Sequence, residues 1–320
     1  MVHLHGPWPR AVSKRSFRDT FSQFHHPRGS SMKHLTIHHL RDSSMKRLTR
    51  GKRNSVLWRT RALCALVVGL TVVLFPATSA TQQHSEHAPF HALAFYTDKG
   101  EQDHIDFALQ SLRFYRDLAA KSNFSLDSTT DWNDMNAARL KNIQLVIWLN
   151  DFPHTPEQRK AFEDYMTHGG AWLGFHVAAY NDESTHWPWF VDFLGGAVFF
   201  GNNWPPLTAT LVVDDHAHVL THNLPATFTA PANEWYIWKP SPRLSKNVKV
   251  LLTLDPKNYP IGLKDTITGG DCPVVWTNTR FHMLYMNMGH GDRIFASATQ
   301  NKLFEDAILW LGARSKVRSK

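Results

Sequence analysis

At 320 residues, 42% hydrophobic and 12% aromatic, the chain has ample length for a substantial core and none of the bias of collagen or low-complexity sequence. Its formal charge of +8 raises a nucleic-acid or membrane partner, but that charge is concentrated at one end. Residues 1–80 hold 14 of the 35 Lys+Arg and 2 of the 27 Asp+Glu, leaving 21 basic and 25 acidic residues beyond them. The main body is therefore mildly acidic, which speaks against a nucleic-acid partner.

The basic end reads as an export signal. Arg59 and Arg61 precede an apolar run, Ala62 to Phe75, and Pro76-Ala77-Thr78-Ser79-Ala80 follows with small residues suited to cleavage. The run is shorter than the roughly 20 apolar residues of a membrane span, so no stable span is expected after cleavage. An uncleaved anchor is the alternative. Residues 1–44 read as a disordered or over-extended upstream segment, 45–80 as the signal, 81–90 as a linker and 91–313 as the working domain. An exported, periplasmic or secreted protein is the expectation. Cys64 lies in the apolar run, so Cys272 is the only cysteine of the domain and no internal disulfide is expected. Beside Pro273 it reads as a packing residue rather than a nucleophile.

From His91 the periodicity alternates between strand and helix. His91–Thr97 suits a buried strand, and Gln102–Ser122 carries Ile105, Leu109, Leu112, Tyr115 and Leu118 at helical spacing. Strands follow at Phe124–Thr130 and Gln144–Leu149, the second apolar enough for the middle of a parallel sheet. Thr155-Pro156-Glu157-Gln158 opens a helix with a capping residue, an N-terminal proline and a capping-box glutamine. Gly169-Gly170 ends it, and Ala171–Val177 reads as a fourth strand. Trp187–Leu194 then reads as a short helix. Strands at Leu207–Val213, Val248–Leu254, Pro273–Thr277 and Met283–Met288 precede a closing helix over Lys302–Leu311. The pattern predicts one α/β domain of about 225 residues: a doubly wound, mostly parallel sheet with a β-rich C-terminal half.

Open parallel sheets bind ligands outside the carboxyl ends of their strands, and that rule selects candidates. After the first strand come Asp98, Lys99, Glu101 and His104; after the third, Asn150, Asp151 and His154; at the end of the fourth, His176. His176 is either a satisfied core histidine or a site residue. The fourth strand's turn holds no Cys or Ser, which argues against covalent acyl chemistry there. Asp214-Asp215-His216-Ala217-His218 with His222 invites a zinc reading, a pocket-lining role for His218, or plain loop histidines. Glu234, among Trp235, Tyr236 and Trp238, is a candidate general acid or base, or else a surface acid. His290, between Gly289 and Gly291, is a ligand contact or part of an ordinary turn. Tryptophans near these loops, including Trp187, Trp189, Trp204 and Trp276, lean toward a sugar ligand, since indole faces stack on sugar rings.

Several separated segments, taken in order, resemble the trehalose-utilisation (ThuA-like) family. Gly169-Gly170-Ala171-Trp172-Leu173-Gly174-Phe175-His176 resembles that family's "GGG-hydrophobic-GxHa" strand, and His218-Val219-Leu220-Thr221-His222-Asn223-Leu224-Pro225 its "HPIT-x-G-LP" segment. Glu234 and Tyr236 match "DE-x-Y", and Pro273 to Trp276 followed by Leu284 to His290 matches its "P-V-x-W … G-H" ending. His104 sits where the family often has an "RHxSI" histidine. The resemblance implies a class I glutamine-amidotransferase-like fold without the amidotransferase cysteine, and a link to sugar metabolism. It departs from the family at Val219, at Asn233 where aspartate is usual, and at Asn202-Asn203 where a histidine is common.

These readings converge on an exported enzyme acting on a keto-sugar or disaccharide by acid/base chemistry. Glu234, His176 and His290 are the expected catalytic residues. His104, His218, Tyr236, Trp276 and Asn150 are expected to bind a small carbohydrate, with no cofactor and no metal. A non-catalytic sugar-binding module and a zinc-dependent hydrolase are the alternatives.

Overall fold

The computed structural model describes residues 90–182, 185–258 and 270–315. The leader, its apolar run and Cys64 lie outside the described residues. Among the described residues, no helix is long and apolar enough to cross a membrane.

A nine-stranded sheet forms the centre, in the order β2-β1-β3-β4-β11-β10-β9-β6-β7. Its strands are β1 (Phe90–Phe95), β2 (Phe124–Thr129), β3 (Leu145–Trp148), β4 (Ala171–Phe175), β6 (Leu207–Val213), β7 (Thr227–Asn233), β9 (Val248–Leu254), β10 (Pro273–Asn278) and β11 (His282–Met286). The first five in spatial order are parallel, and from β11 onward each pairing is antiparallel. The fold is thus the expected α/β class, with the parallel half supplied by the early strands and by β11, which returns to pair with β4. A separate two-stranded ribbon joins β5 (Phe199–Asn202) and β8 (Tyr236–Trp238).

Helices α1 (Gln102–Ala119), α2 (Ala137–Leu140), α3 (Pro156–Thr167), α4 (Pro188–Phe193) and α5 (Ala298–Arg314) cover the sheet. Side chains alternate across each strand, so a strand buried on both faces feeds two cores. Ala92, Ala94, Leu173, Phe175, Leu284 and Met286 pack with Phe107 and Leu112 of α1 and Phe304 and Ile308 of α5. Leu93, Phe95, Val146, Trp148, Trp172 and Tyr285 pack with Phe162 of α3 and Phe190 and Phe193 of α4. Helices on two faces make the sheet doubly wound. Cys272 is 1% exposed, in keeping with a packing role.

Local signals set most boundaries. Thr155 accepts from Gln158 N at 3.3 Å while Gln158 Oε1 accepts from Thr155 N at 3.1 Å, completing the expected capping box. The closing helix starts earlier than the periodicity indicates, because Ser297 caps it through Gln300 N at 3.3 Å. Three strands escape the sequence pattern: β5 and β8, which are four and three residues long, and β7. β7 contains Pro231, which a strand tolerates here because β7 is the sheet's edge. Strand β4 stops at Phe175, so His176 is not inside the strand but opens a 3-10 turn, His176–Ala179.

Candidate functional site

Four adjacent parallel strands, β1, β3, β4 and β11, end at one edge, and the candidate residues gather there. His104 is the first buried position of α1, whose buried face continues through Phe107, Ala108, Ser111, Leu112 and Tyr115 at helical spacing. The stripe that docks the helix therefore also carries the imidazole to the strand ends. His176 sits immediately past β4 with φ 43°, a left-handed conformation that a non-glycine residue rarely holds. Tyr285 Oη fixes it by donating to the His176 carbonyl at 3.1 Å. Gly289 lies against it: a Cβ at that glycine would fall 2.4 Å from the His176 Cβ. His290 follows β11, and Gly291 N binds the carbonyl of Asp103 at 2.9 Å, tying that loop to α1. Glu234 occupies the turn between β7 and β8.

The three imidazoles lie 5.0–5.9 Å apart between ring centroids. Glu234 Oε2 is 3.2 Å from His176 Nε2, 3.9 Å from His104 Nε2 and 4.0 Å from His290 Nε2. Its other oxygen, Oε1, accepts from Asn202 Nδ2. His176 is fully buried, and its Nδ1 contacts the carbonyl of Asn287 at 3.0 Å. Since a carbonyl only accepts, Nδ1 carries the proton. On the outer side, Glu101 bridges two rings: Oε1 is 3.1 Å from His290 Nε2 and Oε2 is 3.3 Å from His104 Nδ1. Asp103 Oδ2 is 3.5 Å from His290 Nδ1. Tyr236 stacks on His176 with centroids 3.9 Å apart.

Burial and charge act against each other here. Burial pushes the His176 imidazole down to about 4, and the Glu234 carboxylate only partly offsets it. Burial also opposes ionisation of Glu234, but His104, His176 and the field of His290 prevail and hold that carboxyl at about 2. His290 is raised: burial disfavours its charge, and Glu101, Glu234 and Asp103 outweigh that. Glu101 is lowered, chiefly by its hydrogen bond with His290. An ionised Glu234 holds no proton to donate, and a carboxyl held this low is a poor proton acceptor, so near neutrality it offers its charge rather than a proton.

Four buried or half-buried asparagines hold the loops together. Asn233 Oδ1 accepts from the backbone N–H groups of Gly289 and His290, each at 3.1 Å, while its Nδ2 donates to the carbonyls of Asn287 and Glu234. Asn287 pairs with both backbone groups of Tyr236, at 3.1 and 2.9 Å. Asn203 accepts from Trp235 N at 2.6 Å, and Asn202 reaches Glu234. Sequence reasoning registered Asn202, Asn203 and Asn233 only as departures from a pattern, and did not find Asn287. Nothing local marks them, because the partners that join one loop to another lie 30 to 57 residues away.

The structure brings His104, His176, Glu234, Tyr236 and His290 together. Asn150 stands behind them: it clasps both backbone groups of Thr97, at 2.9 and 3.0 Å, and donates to the His104 carbonyl at 3.2 Å. It positions His104 rather than lining the pocket. Trp276 is a core residue, fully buried between Trp238 and Tyr285 at 5.5 and 4.4 Å. His218 is not brought to the cluster. Its ring lies 5.3 Å from Trp310, near the end of α5 where Gly312 meets Phe90 at the start of β1. Nor does its neighbourhood form a ligand set: His216 and His222 are exposed, and Asp214 pairs with Arg243 at 3.2 Å. Among the described residues, two groups have donor atoms within 4.8 Å of one another, Glu101-His104-His290 and His104-His176-Glu234. Trp204 is 67% exposed, with its ring 6.0 Å from that of His290.

A doubly wound α/β domain with histidines and carboxylates converging at its strand ends is the class that fold and site define. The chain belongs to the trehalose-utilisation (ThuA) family, whose sequence profile matches residues 91–311. A ThuA-like protein from Bacteroides uniformis is 50% identical in sequence, covers 76% of this chain and 97% of its own, and has a TM-score of 0.68. A ThuA-like protein from Parabacteroides merdae is 14% identical over 71% of this chain and 92% of its own, with a TM-score of 0.49. The glutaminase domain of a Trypanosoma brucei CTPS, with bound acivicin, is 10% identical over 72% of this chain and 100% of its own, with a TM-score of 0.44. No curated protein matches the sequence. The family's description supports a sugar-related role.

Proposed function

We propose that this pocket is the catalytic site of an enzyme acting on a keto-sugar or disaccharide by proton transfer, without a covalent nucleophile. The observation that carries this reading is the juxtaposition of three histidines and two carboxylates with the exposed indole of Trp204. Sugar rings present an apolar face and a polar edge, and an indole beside a polar cluster complements both. The turn after β4 bears His176 rather than Ser or Cys, which supports acid/base chemistry over acyl transfer.

Geometry suggests a division of labour. His290 Nε2 exchanges the proton, and Glu101, whose side chain is 41% exposed, passes it to solvent. Glu234 is the fixed negative charge, placed to accept from a sugar hydroxyl and to stabilise a protonated His290 4.0 Å away. The order of basic, apolar and small residues from Arg59 to Ala80 supports export before the protein works.

The test is to incubate the full chain with a panel of oxidised and unoxidised disaccharides and analyse the products by mass spectrometry. Turnover of at least one is expected, reduced about 10²–10⁴-fold by His290→Gln. Ligands recovered unchanged throughout, with saturable quenching of tryptophan fluorescence, would identify a sugar-binding module instead.

A further inference from the structure

We propose that His104 Nε2, His176 Nε2 and Glu234 Oε2 form the ligand set of a divalent first-row metal ion. The observation that points to a ligand is His104 itself. The residue is 9% exposed, yet its Nε2 is buried with no hydrogen-bond partner. Leaving such an atom unpaired is costly, and it is aimed at the Glu234 carboxylate from 3.9 Å, too far for a hydrogen bond.

The orientation of both rings supports the assignment. Nδ1 of His104 faces Glu101 Oε2 at 3.3 Å, and Nδ1 of His176 faces the Asn287 carbonyl at 3.0 Å. Each partner is an acceptor, so with a metal ion bound each ring would keep its proton on Nδ1 and turn its Nε2 lone pair inward. Metal-binding histidines are held in this way, by a carboxylate or carbonyl on the far nitrogen. Glu234 is held likewise: Asn202 takes Oε1 and leaves Oε2 toward the rings. The His176 and His104 nitrogens stand 3.2 and 3.9 Å from Oε2, matching the separations of about 3–4 Å between ligands around a zinc-sized ion.

The other grouping, Glu101-His104-His290, fits less well. Glu101 meets His104 through Nδ1, so that set leaves the buried His104 Nε2 without a partner, and the Glu101 side chain is 41% exposed. Two imidazoles and one carboxylate suit zinc, iron, cobalt or nickel better than magnesium or calcium. Three protein ligands leave coordination positions for substrate oxygen, the arrangement of catalytic rather than structural sites. The site stands whether or not the pocket turns over a sugar. Its part in that reaction, as a Lewis acid on a sugar carbonyl or hydroxyl, rests on the function proposed above.

The test uses the full chain made without a polyhistidine tag, stripped with a chelator and titrated with Co(II), following visible absorption and heat. Nine of the twenty histidines precede residue 90, so weak binding there is subtracted by comparing variants. One tight equivalent is expected, displaced by zinc, lost in His104→Ala and Glu234→Gln, and retained in His222→Ala. Asn202→Ala should weaken it about 10–100-fold. No sugar is present, so the result is independent of turnover. The proposal is overturned if no tight equivalent exists, or if His104→Ala binds like the wild type. Should His104→Ala not fold, an affinity unchanged in Asn202→Ala overturns it as well.

Discussion

The side-chain amide of Asn233 donates to the carbonyl of Asn287 at 3.0 Å and to the carbonyl of Glu234 at 2.9 Å. Its oxygen meanwhile accepts from Gly289 N and His290 N. All four polar positions of one fully buried side chain are used, two as donor and two as acceptor. Only an amide can do this.

Asn233→Asp therefore places a carboxylate oxygen against two carbonyl oxygens. The expected cost is about 2–5 kcal/mol, from a buried charge facing acceptors and two abandoned carbonyls. Urea denaturation of the two proteins measures it. Equal midpoints would show that the loop relaxes around the charge and that the amide is dispensable.

The fold was legible in the sequence because its signals are local. Apolar runs at Gln144–Leu149 and Ala171–Val177, the helical stripe of α1 and the capping box at Thr155 each speak within a few residues. The strand-end rule then carried His104, His176 and Glu101 to one edge, while His290 was marked by its flanking glycines. What stayed hidden depends on distant partners. His218 looked like a pocket residue from its motif, but which side of a loop faces which element is set by tertiary packing. Trp276 looked like a sugar platform by residue type, yet β10 is buried along its whole length, so either face places it in the core. Asn150 was found at the right strand end with a different task, since its amide matches the backbone of Thr97 in geometry that sequence does not display. The asparagine lattice was invisible for the same reason.

Gly289→Ala probes how tightly the His176 turn is packed. The new methyl would lie 2.4 Å from the His176 Cβ and 3.5 Å from Phe107, in a region with no room to yield. His176 is held from the other side by Tyr285 and Tyr236. Overpacking of this kind costs about 1–3 kcal/mol and should move the imidazole off Glu234. A thermal melt gives the first quantity, and the NMR signals of the His176 ring report the second. A variant with unaltered melting and ring signals would sink the claim.

His154 offers a pH measurement away from the pocket. Its Nε2 is 3.1 Å from Asp151 Oδ2, and that hydrogen bond raises the imidazole above its usual 6.5 despite some burial. A raised histidine adds stability that is fully present below pH 6.5 and is lost as pH rises through the folded-state value. With the His154 side chain 53% exposed, solvent screening keeps the contribution under about 1 kcal/mol. In Asp151→Asn the NMR titration midpoint of His154 should fall back toward about 6.5. A midpoint that does not move would assign the shift to something other than Asp151.

Trp204 separates ligand binding from folding. At 67% exposure its indole contributes little to the core, so Trp204→Ala should leave stability within about 0.5 kcal/mol. Its ring nevertheless stands 6.0 Å from that of His290, where a sugar seated on the polar cluster would lay its apolar face. Losing such a stacking partner is worth about 0.5–1.5 kcal/mol, or an affinity decrease of roughly tenfold at most. Calorimetric titration with whichever disaccharide the panel identifies provides the comparison, beside a Trp189→Phe control on the α3–α4 side of the sheet. Equal affinities for wild type and Trp204→Ala would remove the platform from the proposed binding mode. A matching loss in the control would trace the effect to the fold rather than to the pocket.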